Sequence, residues 1–479
     1  MKVPLSSILV AWSSMVDAID FMSLLLVTSC LDSEFQLNGE DEFGNIYKFI
    51  FISSMFIGEI IGMTTCLKYP LLILWGKRNV ILGGWFLAII FRILAAVASH
   101  DRISLIVYFC LVGFGNGCSR VVINDISADI LEDEQKVFND VISSSCSICG
   151  ELYVLLIGFL CMNVYGWRTM ILLASIPTIL LLIFGMVYFQ TDFSIWILSD
   201  GDLTGGSSNF KPNVLLRSDQ ERRNIIDMLV PKIWATVSWP LSTIYVLTNF
   251  AKCTGLMMLV HFYTIGVDHC NYRFNEMFSS SLTQFVGMAL TFHIFFNLRV
   301  ARTFIQIVLY FLAGIFAITS IPLLKRGIIN VGALLFVLGL RSWLAGSHLF
   351  LGLKTIDLYP IYLRAIAITY YAILGRVGFL LALVWMFVYA QEHAMVNFSI
   401  LGVCCFLASY FSSKLPFERS SGYLVRLQST DVDLDEEEVA LFTDGNRPLG
   451  NSKEVHKGTY GGAVDIGHDL DVELEGWKE

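Results

Sequence analysis

Charge is scarce in this sequence. Asp, Glu, Lys and Arg make up 15% of its 479 residues, whereas an average soluble domain is roughly 25% charged. The mean hydropathy is +0.66, and 55% of the residues are hydrophobic. So few polar side chains cannot cover a soluble globule of this size, and the same composition excludes a disordered or collagen-like protein. The composition therefore predicts an integral membrane protein with many spans.

Patterns of soluble catalysis and of metal binding are absent as well. No Walker loop, HExxH, GxSxG or zinc-ligand spacing occurs. Cys146 and Cys149 form a CxxC pair, but neither a second pair nor a histidine accompanies them. We therefore predict a protein that is not an enzyme, holds no metal and uses no cofactor. Without an ATP-binding domain, transport would run down a gradient or be coupled to an ion, for which H⁺ is the candidate.

The 11 cysteines do not form a disulfide framework. Their number is odd, and nine of them lie within apolar runs, where small side chains suit contacts between helices. The other two, Cys30 and Cys270, lie near the predicted outer ends of spans and are candidates for a single bridge.

The net charge of −9 belongs to the C-terminal tail. Residues 418–479 hold 15 acidic and 6 basic side chains, and residues 1–417 have no net charge. No segment is therefore basic enough to hold nucleic acid. The stretch from Ser429 to Glu438 resembles an acid-directed phosphorylation site, and the one from Glu437 to Phe442 resembles a dileucine sorting signal. We expect a disordered, solvated tail whose candidate partners are kinases and sorting factors.

Twelve apolar stretches are each long enough for a spanning helix, which needs about 20 mostly apolar residues. The first is too long for a signal peptide and contains Asp17 and Asp20, so we interpret it as a retained span. The pattern predicts an all-α polytopic membrane protein with 12 transmembrane helices in two pseudo-symmetric six-helix halves. The predicted spans are 5–30, 46–67, 79–99, 103–128, 139–162, 168–190, 239–265, 274–297, 302–324, 328–357, 362–389 and 395–413.

The connections between the spans predict the orientation. With the N-terminus in the cytoplasm, 16 Lys and Arg residues lie on the inner side and 6 on the outer side, as the positive-inside rule requires. The acidic connection from Leu31 to Asn45 is typical of an outer loop. We therefore predict a multi-pass membrane protein with both termini cytoplasmic. The sequence does not distinguish the plasma membrane from an intracellular vesicle membrane.

The longest internal connection, from Thr191 to Ser238, follows the sixth span. It is either an ordinary long loop or, in the interpretation we favour, the hinge between two halves that rock against each other. The halves repeat weakly, because LVGFGNG at 111–117 leads to Asp129 and LGLRSWLAG at 338–346 leads to Asp357 at a similar spacing. The predicted domains are the N-terminal half 1–190, the cytoplasmic linker 191–238, the C-terminal half 239–417 and the tail 418–479.

Ionisable side chains inside spans are costly, at about 2.5–3.5 kcal/mol each on insertion scales, so they persist where they face water, pair or function. Asp17 and Asp20 lie three residues apart on one helix face. Two such carboxylates repel each other, so one is expected to hold a proton. This suits a proton relay or a cation site; the structural alternative is a polar pair satisfied by Ser, Asn or a neighbouring Arg. Other ionisable residues within spans are Glu59, Arg92, Arg120, Asp125, Glu151, Lys252, His261, His293, Arg341, His348 and Arg376.

Several short motifs follow one another in an order typical of one group of carriers. They are DAID at 17–20, LVGFGNG at 111–117, GWR at 166–168 with Pro177, VPK at 230–232, DLYP at 357–360 with Arg364, GRVG at 375–378 and LPFE at 415–418. Together they resemble the major facilitator superfamily, and within it the branch of synaptic-vesicle-type, organic-ion and related metabolite transporters.

The resemblance implies a secondary carrier that moves a small organic solute, an organic ion or related metabolite, by alternating access, with proton symport as a coupling. It implies a monomer in the lipid bilayer with a central cavity lined by spans 1, 4, 7 and 10. Candidates for binding substrate or proton are Asp17, Asp20, Glu59, Arg341 and Arg376, with the aromatic residues Trp12, Phe21, Tyr245, Phe250 and Trp343, for which helix packing is the alternative. Candidates for gating or structure are Lys77, Arg78, Arg120, Asp129, Asp357 and Arg364.

The sequence departs from the family pattern at the inner gate. Gly76-Lys77-Arg78 lacks the preceding Asp, no Arg precedes LVGFG, and the Pro-Glu-Ser-Pro-Arg element after span 6 is reduced to Thr191–Ile195. These departures put the family's own inner-gate salt bridges in question, while Arg120, Asp125, Asp129, Lys354 and Asp357, near the inner ends of spans 4 and 10, are expected to form gating or structural ion pairs. The paired Gln of hexose carriers is missing from span 7, which argues against a sugar. The eroded gate and the acidic tail motivate an alternative, a transport-inactive receptor or trafficking protein on a carrier fold.

Overall fold

The structure is a computed structural model, and it is helical throughout the part of the chain that it describes. The described residues are 5–34, 42–68, 71–99, 101–128, 133–187, 234–264, 272–298, 302–325, 336–359, 361–389 and 394–415. The predicted linker 191–238 lies largely outside these residues, and Asp129 and the tail 418–479 lie outside them entirely.

The first six helices occupy residues 5–187. They are α1 (Leu5–Glu34), α2 (Glu42–Lys68), α3 (Leu71–Val97), α4 (Arg102–Ala128), α5 (Asp133–Tyr165) and α6 (Trp167–Ala174). Helix α6 turns at Ser175 and continues as helix over 176–187.

The second set of helices follows residue 233. They are α7 (Trp239–Tyr263), α8 (Phe274–Leu298), α9 (Arg302–Lys325), α10 (Ser342–Leu358), α11 (Ile361–Val384) and α12 (Ala394–Lys414). Single π-helical segments precede α7 (Trp234–Ser238) and α10 (Phe336–Arg341) and follow α11 (Trp385–Tyr389).

The all-α prediction is confirmed, and each predicted span coincides with one of these helices. Within the described residues, ten helices are long and apolar enough to cross a membrane. Helices α8 and α10 are not among the ten; Gln284 of α8 and Arg341, which directly precedes α10, line the cavity described below.

Equivalent helices pack together in the two sets. Helix α1 packs along α5, α2 along α4 and α3 against α6, and in the second set α7 packs along α11, α8 along α10 and α9 along α12. The first set meets the second along α2 with α11 and along α5 with α8. Exchanging equivalent helices, α2 with α8 and α5 with α11, converts one of these contacts into the other. We call them the α2–α11 seam and the α5–α8 seam.

Glycines allow α2 and α4 to pack with almost no space between their backbones. A Cβ atom at Gly113 would overlap the carbonyl oxygen of Met55, and one at Gly117 would overlap that of Glu59. Gly58 and Gly62 of α2 meet the backbone of α4 in the same way. The close packing explains the glycine-rich LVGFGNG motif and holds Glu59 in a fixed position in the middle of the bundle.

The two sets also touch at both ends of the bundle. Where α1 ends, the hydroxyl of Tyr272 donates to the carbonyl oxygen of Leu26 at 2.7 Å. Where α4 ends, the side-chain amide of Asn124 donates to the hydroxyl of Thr369 at 3.2 Å. Cys30 is disulfide-bonded, and its predicted partner Cys270 lies outside the described residues.

Candidate functional site

A cavity of about 300 Å³ lies between the two sets of helices. Helices α1, α4, α7 and α10 line it as predicted, and α5, α8 and α11 contribute as well. From α1 it takes residues between Val10 and Phe21, and from α5 residues between Asp140 and Glu151. The cavity therefore lies toward the end of the bundle at which α1 and α5 begin.

Three phenylalanine rings close the cavity toward the other end. Phe21 of α1, Phe56 of α2 and Phe379 of α11 lie with ring centroids 5.0–5.4 Å apart. Phe21 and Phe379 also line the cavity. Because the three rings come from both sets of helices, this aromatic cluster has to separate if the passage opens there.

Asp17 and Asp20 occupy different environments. Asp17 lines the cavity and forms an ion pair with Arg120 of α4. Asp20 is 2% exposed, pairs with Arg92 of α3 and accepts a hydrogen bond from Asn116 at 2.6 Å. Each carboxylate therefore has its own cation, and the alternative of a satisfied polar group describes Asp20.

Glu59 joins the first set of helices to the second. Its Oε1 lies 2.7 Å from Nη2 of Arg376 on α11 and 3.6 Å from Nε of Arg120. The Arg376 guanidinium also lies 5.4 Å from the centroid of the Phe379 ring. Glu59 is thus buried in the α2–α11 seam and shares one carboxylate oxygen between two guanidinium groups.

A second carboxylate, that of Glu151 on α5, forms contacts across the α5–α8 seam. Its Oε2 accepts from Arg341 at 2.8 Å, from Gln284 at 2.7 Å and from Ser281 at 3.3 Å. The Arg341 side chain also donates to Ser280 at 2.8 Å. Arg341 ends the π-helical segment before α10, a geometry often found at functional sites.

Lys252 of α7 and His348 of α10 line the cavity between these pairs. Neither side chain forms a hydrogen bond or an ion pair with the residues that the structure describes. The charges acting on Lys252 are attraction by Glu151 and repulsion by Arg376, Arg341 and Arg120.

The aromatic candidates divide into two groups. Phe21 and Tyr245 line the cavity, and the Tyr245 ring stacks on Tyr371 at 4.9 Å. The other three lie outside the lining, and for them the alternative of helix packing fits. Trp12 stacks on Phe184 at 5.8 Å, Trp343 packs against the cluster around Leu309 and Phe350, and Phe250 is half-buried on α7.

Ion pairs lie near the ends of α4 and α10, although the loop motif of the family is incomplete in this sequence. Lys77 pairs with Asp125, and Arg302 pairs with Asp357 at 2.7 Å. Lys77 and Asp357 thus take part in ion pairs, which fits the gating or structural role expected of them, and Asp125 supplies a carboxylate from α4 in place of the missing loop Asp. Arg364 donates to the carbonyl oxygen of Tyr359 at 3.1 Å, and Arg78 is exposed.

Sequence reasoning missed the polar face of α5. Asp140, Ser144, Ser147 and Glu151 all line the cavity and follow one another by three or four residues, which places them on one side of a helix. This spacing within an apolar span is a signal that could have identified α5 as a cavity helix. Among the described residues, no group of His, Cys, Asp and Glu could hold a metal ion.

Comparisons with known proteins identify the fold. No family model matches the sequence. A segment of 153 residues, 32% of this chain, is 27% identical to the glucose transporter GlcP of Staphylococcus epidermidis and spans about a third, 33%, of the length of that relative.

Solved structures are similar over most of the chain. One is the partially occluded inward-open xylose transporter XylE from E. coli, with a TM-score of 0.63 and 15% identity over 87% of this chain and 98% of that chain. Another is the major facilitator superfamily proton:xylose symporter XylE bound to 6-bromo-6-deoxy-D-glucose, with a TM-score of 0.65 and 14% identity over 88% of this chain and 98% of that chain. The protein therefore has the fold of the major facilitator superfamily, and the proteins it resembles here are transporters rather than enzymes.

Proposed function

We propose that the protein is a proton-coupled secondary carrier that moves a small polyhydroxylated solute of the sugar class by alternating access. The cavity lies between two sets of helices with equivalent packing, and both sets contribute side chains to it. Paired halves around a central site are the general architecture of such carriers. The halves are 1–190 and 239–417, joined by the linker 191–238, and both termini face the cytoplasm.

The lining of the cavity suits a sugar. Its volume is at the lower end of the roughly 300–1,000 Å³ of ligand pockets, which fits a single ring. Asn249 and Gln284, whose amide nitrogens donate to Tyr245 and Glu151, offer amide oxygens as acceptors for hydroxyl groups, and the rings of Phe21 and Tyr245 offer apolar surface. The related GlcP is named a glucose transporter and XylE a xylose transporter.

A sugar-class solute corrects two expectations. GlcP and XylE are named for sugars, which favours a solute of the sugar class over the other organic ions of the branch that the motifs resemble. The missing glutamine pair of span 7 is a weak argument against a sugar, because polar groups on α7 and α8 can replace that pair. The receptor alternative finds no support in these relatives, which are named as transporters.

Asp17 is the proposed proton site. It lies in the cavity wall, where water reaches it, and its partner is Arg120. A proton on this carboxylate neutralises it and releases Arg120. Asp20 is fully enclosed with Arg92, so we assign it a structural role.

A released Arg120 can act on the seam between the halves. Its Nε already lies 3.6 Å from Oε1 of Glu59, and that same oxygen holds Arg376 at 2.7 Å. Arg120 then competes with Arg376 for Glu59 and weakens the α2–α11 seam. A proton bound by one half thereby changes the contact with the other half. This continuous line of charges from Asp17 to Arg376 is the observation that carries the proposal.

The proposal is tested by uptake into proteoliposomes under an imposed proton gradient, with radiolabelled D-xylose, D-glucose and D-glucuronate as probes. The wild type is expected to accumulate a probe, whereas Asp17→Asn is expected to lose accumulation but keep exchange of labelled for unlabelled probe. Asp101→Asn, on an exposed side chain, serves as the control. Gradient-driven accumulation by Asp17→Asn at the wild-type level would overturn the role of Asp17, and no uptake of any probe by the wild type would overturn the function.

A further inference from the structure

The two halves contribute opposite charges to the cavity wall. The N-terminal half contributes Asp17, Asp140 and Glu151 together with Arg120. The C-terminal half contributes Lys252, Arg341, His348 and Arg376, and no carboxylate from its described residues lines the cavity. The part of the cavity wall that the C-terminal half contributes is therefore positively charged, except where carboxylates of the N-terminal half neutralise it.

Three of the four cations in the wall are neutralised. Arg120 pairs with Asp17, Arg376 with Glu59 and Arg341 with Glu151. Lys252 is the remaining cation, and in the described part of the chain it has no ion pair. The carboxylate that attracts it most, that of Glu151, already accepts from three other side chains on Oε2.

An ammonium group in such a place is unfavourable until an anion arrives. It is removed from bulk water inside the bundle and repelled by three guanidinium groups, and unpaired charges within spans are costly unless they face a wet cavity or function. His348 on the facing helix also lies in the positive field of Lys252, Arg120 and Arg376. Asp140, the remaining carboxylate of the wall, is not among the main charges that act on Lys252. An anionic group of a ligand would therefore supply the counter-ion that Lys252 lacks in the described part of the chain.

A side chain that can bind hydroxyl groups of a ligand lies beside Lys252. Asn249 lies one helical turn before Lys252 on α7 and lines the cavity. Thr248 lies beside it, but its hydroxyl is hydrogen-bonded to that of Tyr310 at 2.6 Å. The amide nitrogen of Asn249 donates to the carbonyl oxygen of Tyr245, which leaves the amide oxygen to accept from a ligand. A ligand that matches this wall has a polyol body and one negatively charged group.

We propose that Lys252 binds the anionic group of the transported solute, so that the preferred solute is a sugar derivative with one carboxylate or phosphate group rather than a neutral sugar. This inference rests on the proposed function. It makes Lys252 a specificity-determining residue, because a neutral sugar leaves its charge without a counter-ion.

The test compares acidic and neutral probes on the purified full-length protein. Binding of D-glucuronate, D-glucose 6-phosphate and D-glucose is measured by isothermal titration calorimetry, with inorganic phosphate as a separate probe. At least one acidic sugar is expected to bind tenfold or more tightly than D-glucose. In Lys252→Gln that preference is expected to disappear, and in Lys252→Arg it is expected to persist. Lys414→Gln, at the end of α12, is the matched control and is expected to keep it.

Thermal unfolding shows that the variant is folded and supplies a second readout. Without ligand, Lys252→Gln is expected to melt at the same temperature as the wild type or higher, since it removes a repelled cation. D-glucuronate is expected to raise the melting temperature of the wild type and not that of Lys252→Gln.

Three results would overturn the inference. One is equal binding of acidic and neutral sugars by the wild type, and another is an acidic preference that survives in Lys252→Gln. The third is a Lys252-dependent response to inorganic phosphate without one to either acidic sugar, which would indicate a separate anion site. Proton-driven uptake of neutral sugars with no role for Lys252 would leave the proposed function intact while removing this inference.

Discussion

The two halves of the bundle treat their charges differently. In the described part of the N-terminal half, Asp17, Asp20 and Asp125 pair with cations of the same half. In the C-terminal half, Arg341 and Arg376 find their carboxylates across the seams, on Glu151 and Glu59. Each crossing pair takes its carboxylate from the first half and its guanidinium group from the second, so the two halves complete each other's charges at the seams. The contact between the halves is therefore a place where charge, and with it a proton or an anionic ligand, can change how they fit together.

The largest loss in the free energy of unfolding is expected when an ion pair across a seam is broken. Glu151→Gln leaves the Arg341 guanidinium buried without a counter-ion, which typically costs about 3–5 kcal/mol. The free energy of unfolding, measured by denaturation in mixed micelles, is expected to fall by that amount. Glu276→Gln is the control, because the pair with Arg273 is exposed and 3.5 Å long, and such pairs contribute about 0–1 kcal/mol. Equal losses in the two variants would remove the special role of the seam.

A smaller loss in the free energy of unfolding is expected from a substitution at the contact of α2 with α4, which holds Glu59 in place. Gly117→Ala puts a methyl group against the carbonyl oxygen of Glu59, and overpacking of this kind costs about 1–3 kcal/mol. Gly83→Ala is the matched control, because a Cβ there has no neighbour within 4 Å. The same unfolding measurement is expected to separate the two, and a tolerated Gly117→Ala would contradict the tight packing.

The smallest loss in the free energy of unfolding is expected when an ion pair within one half is broken. Asp357→Asn breaks the partly exposed pair with Arg302 near the end of the bundle, and we expect the free energy of unfolding to fall by at most about 1 kcal/mol. Lys77→Gln, which breaks the corresponding pair in the other half, is expected to have a similar effect. A loss as large as that of Glu151→Gln would show that ion pairs within one half stabilise the protein as much as ion pairs between the halves, which contradicts the comparison.

Sequence patterns predicted the helices well and their charge partners poorly. A run of some 20 apolar residues is a local property, so the spans, including the one that carries Asp17 and Asp20, coincide with the observed helices. Partners such as Glu59 and Arg376 stand 317 residues apart, and no local pattern joins them. Asp17 and Asp20 share a helix face, yet they face different neighbours because α3 and α4 approach that face from different sides.

Three of the five aromatic candidates lie outside the cavity lining for a similar reason. Trp12 lies only five residues before Asp17, but its ring packs on Phe184 of α6 rather than in the cavity. Which side of a mostly apolar helix meets the cavity depends on the tertiary packing, and only polar residues such as those of α5 mark that side in the sequence.

Cross-linking the two ends of the bundle tests alternating access most directly. Cysteines at Asn124 and Thr369, which touch where α4 ends, and at Leu26 and Tyr272, which touch where α1 ends, are joined in separate variants by a short thiol reagent that a reductant cleaves. A link between Tyr153 and Leu173, which touch within the N-terminal half, is the control. We predict that either end link stops solute uptake by proteoliposomes, that cleavage restores it and that the control link leaves it unchanged. Uptake that continues through either end link would contradict a mechanism in which the halves separate at each end in turn.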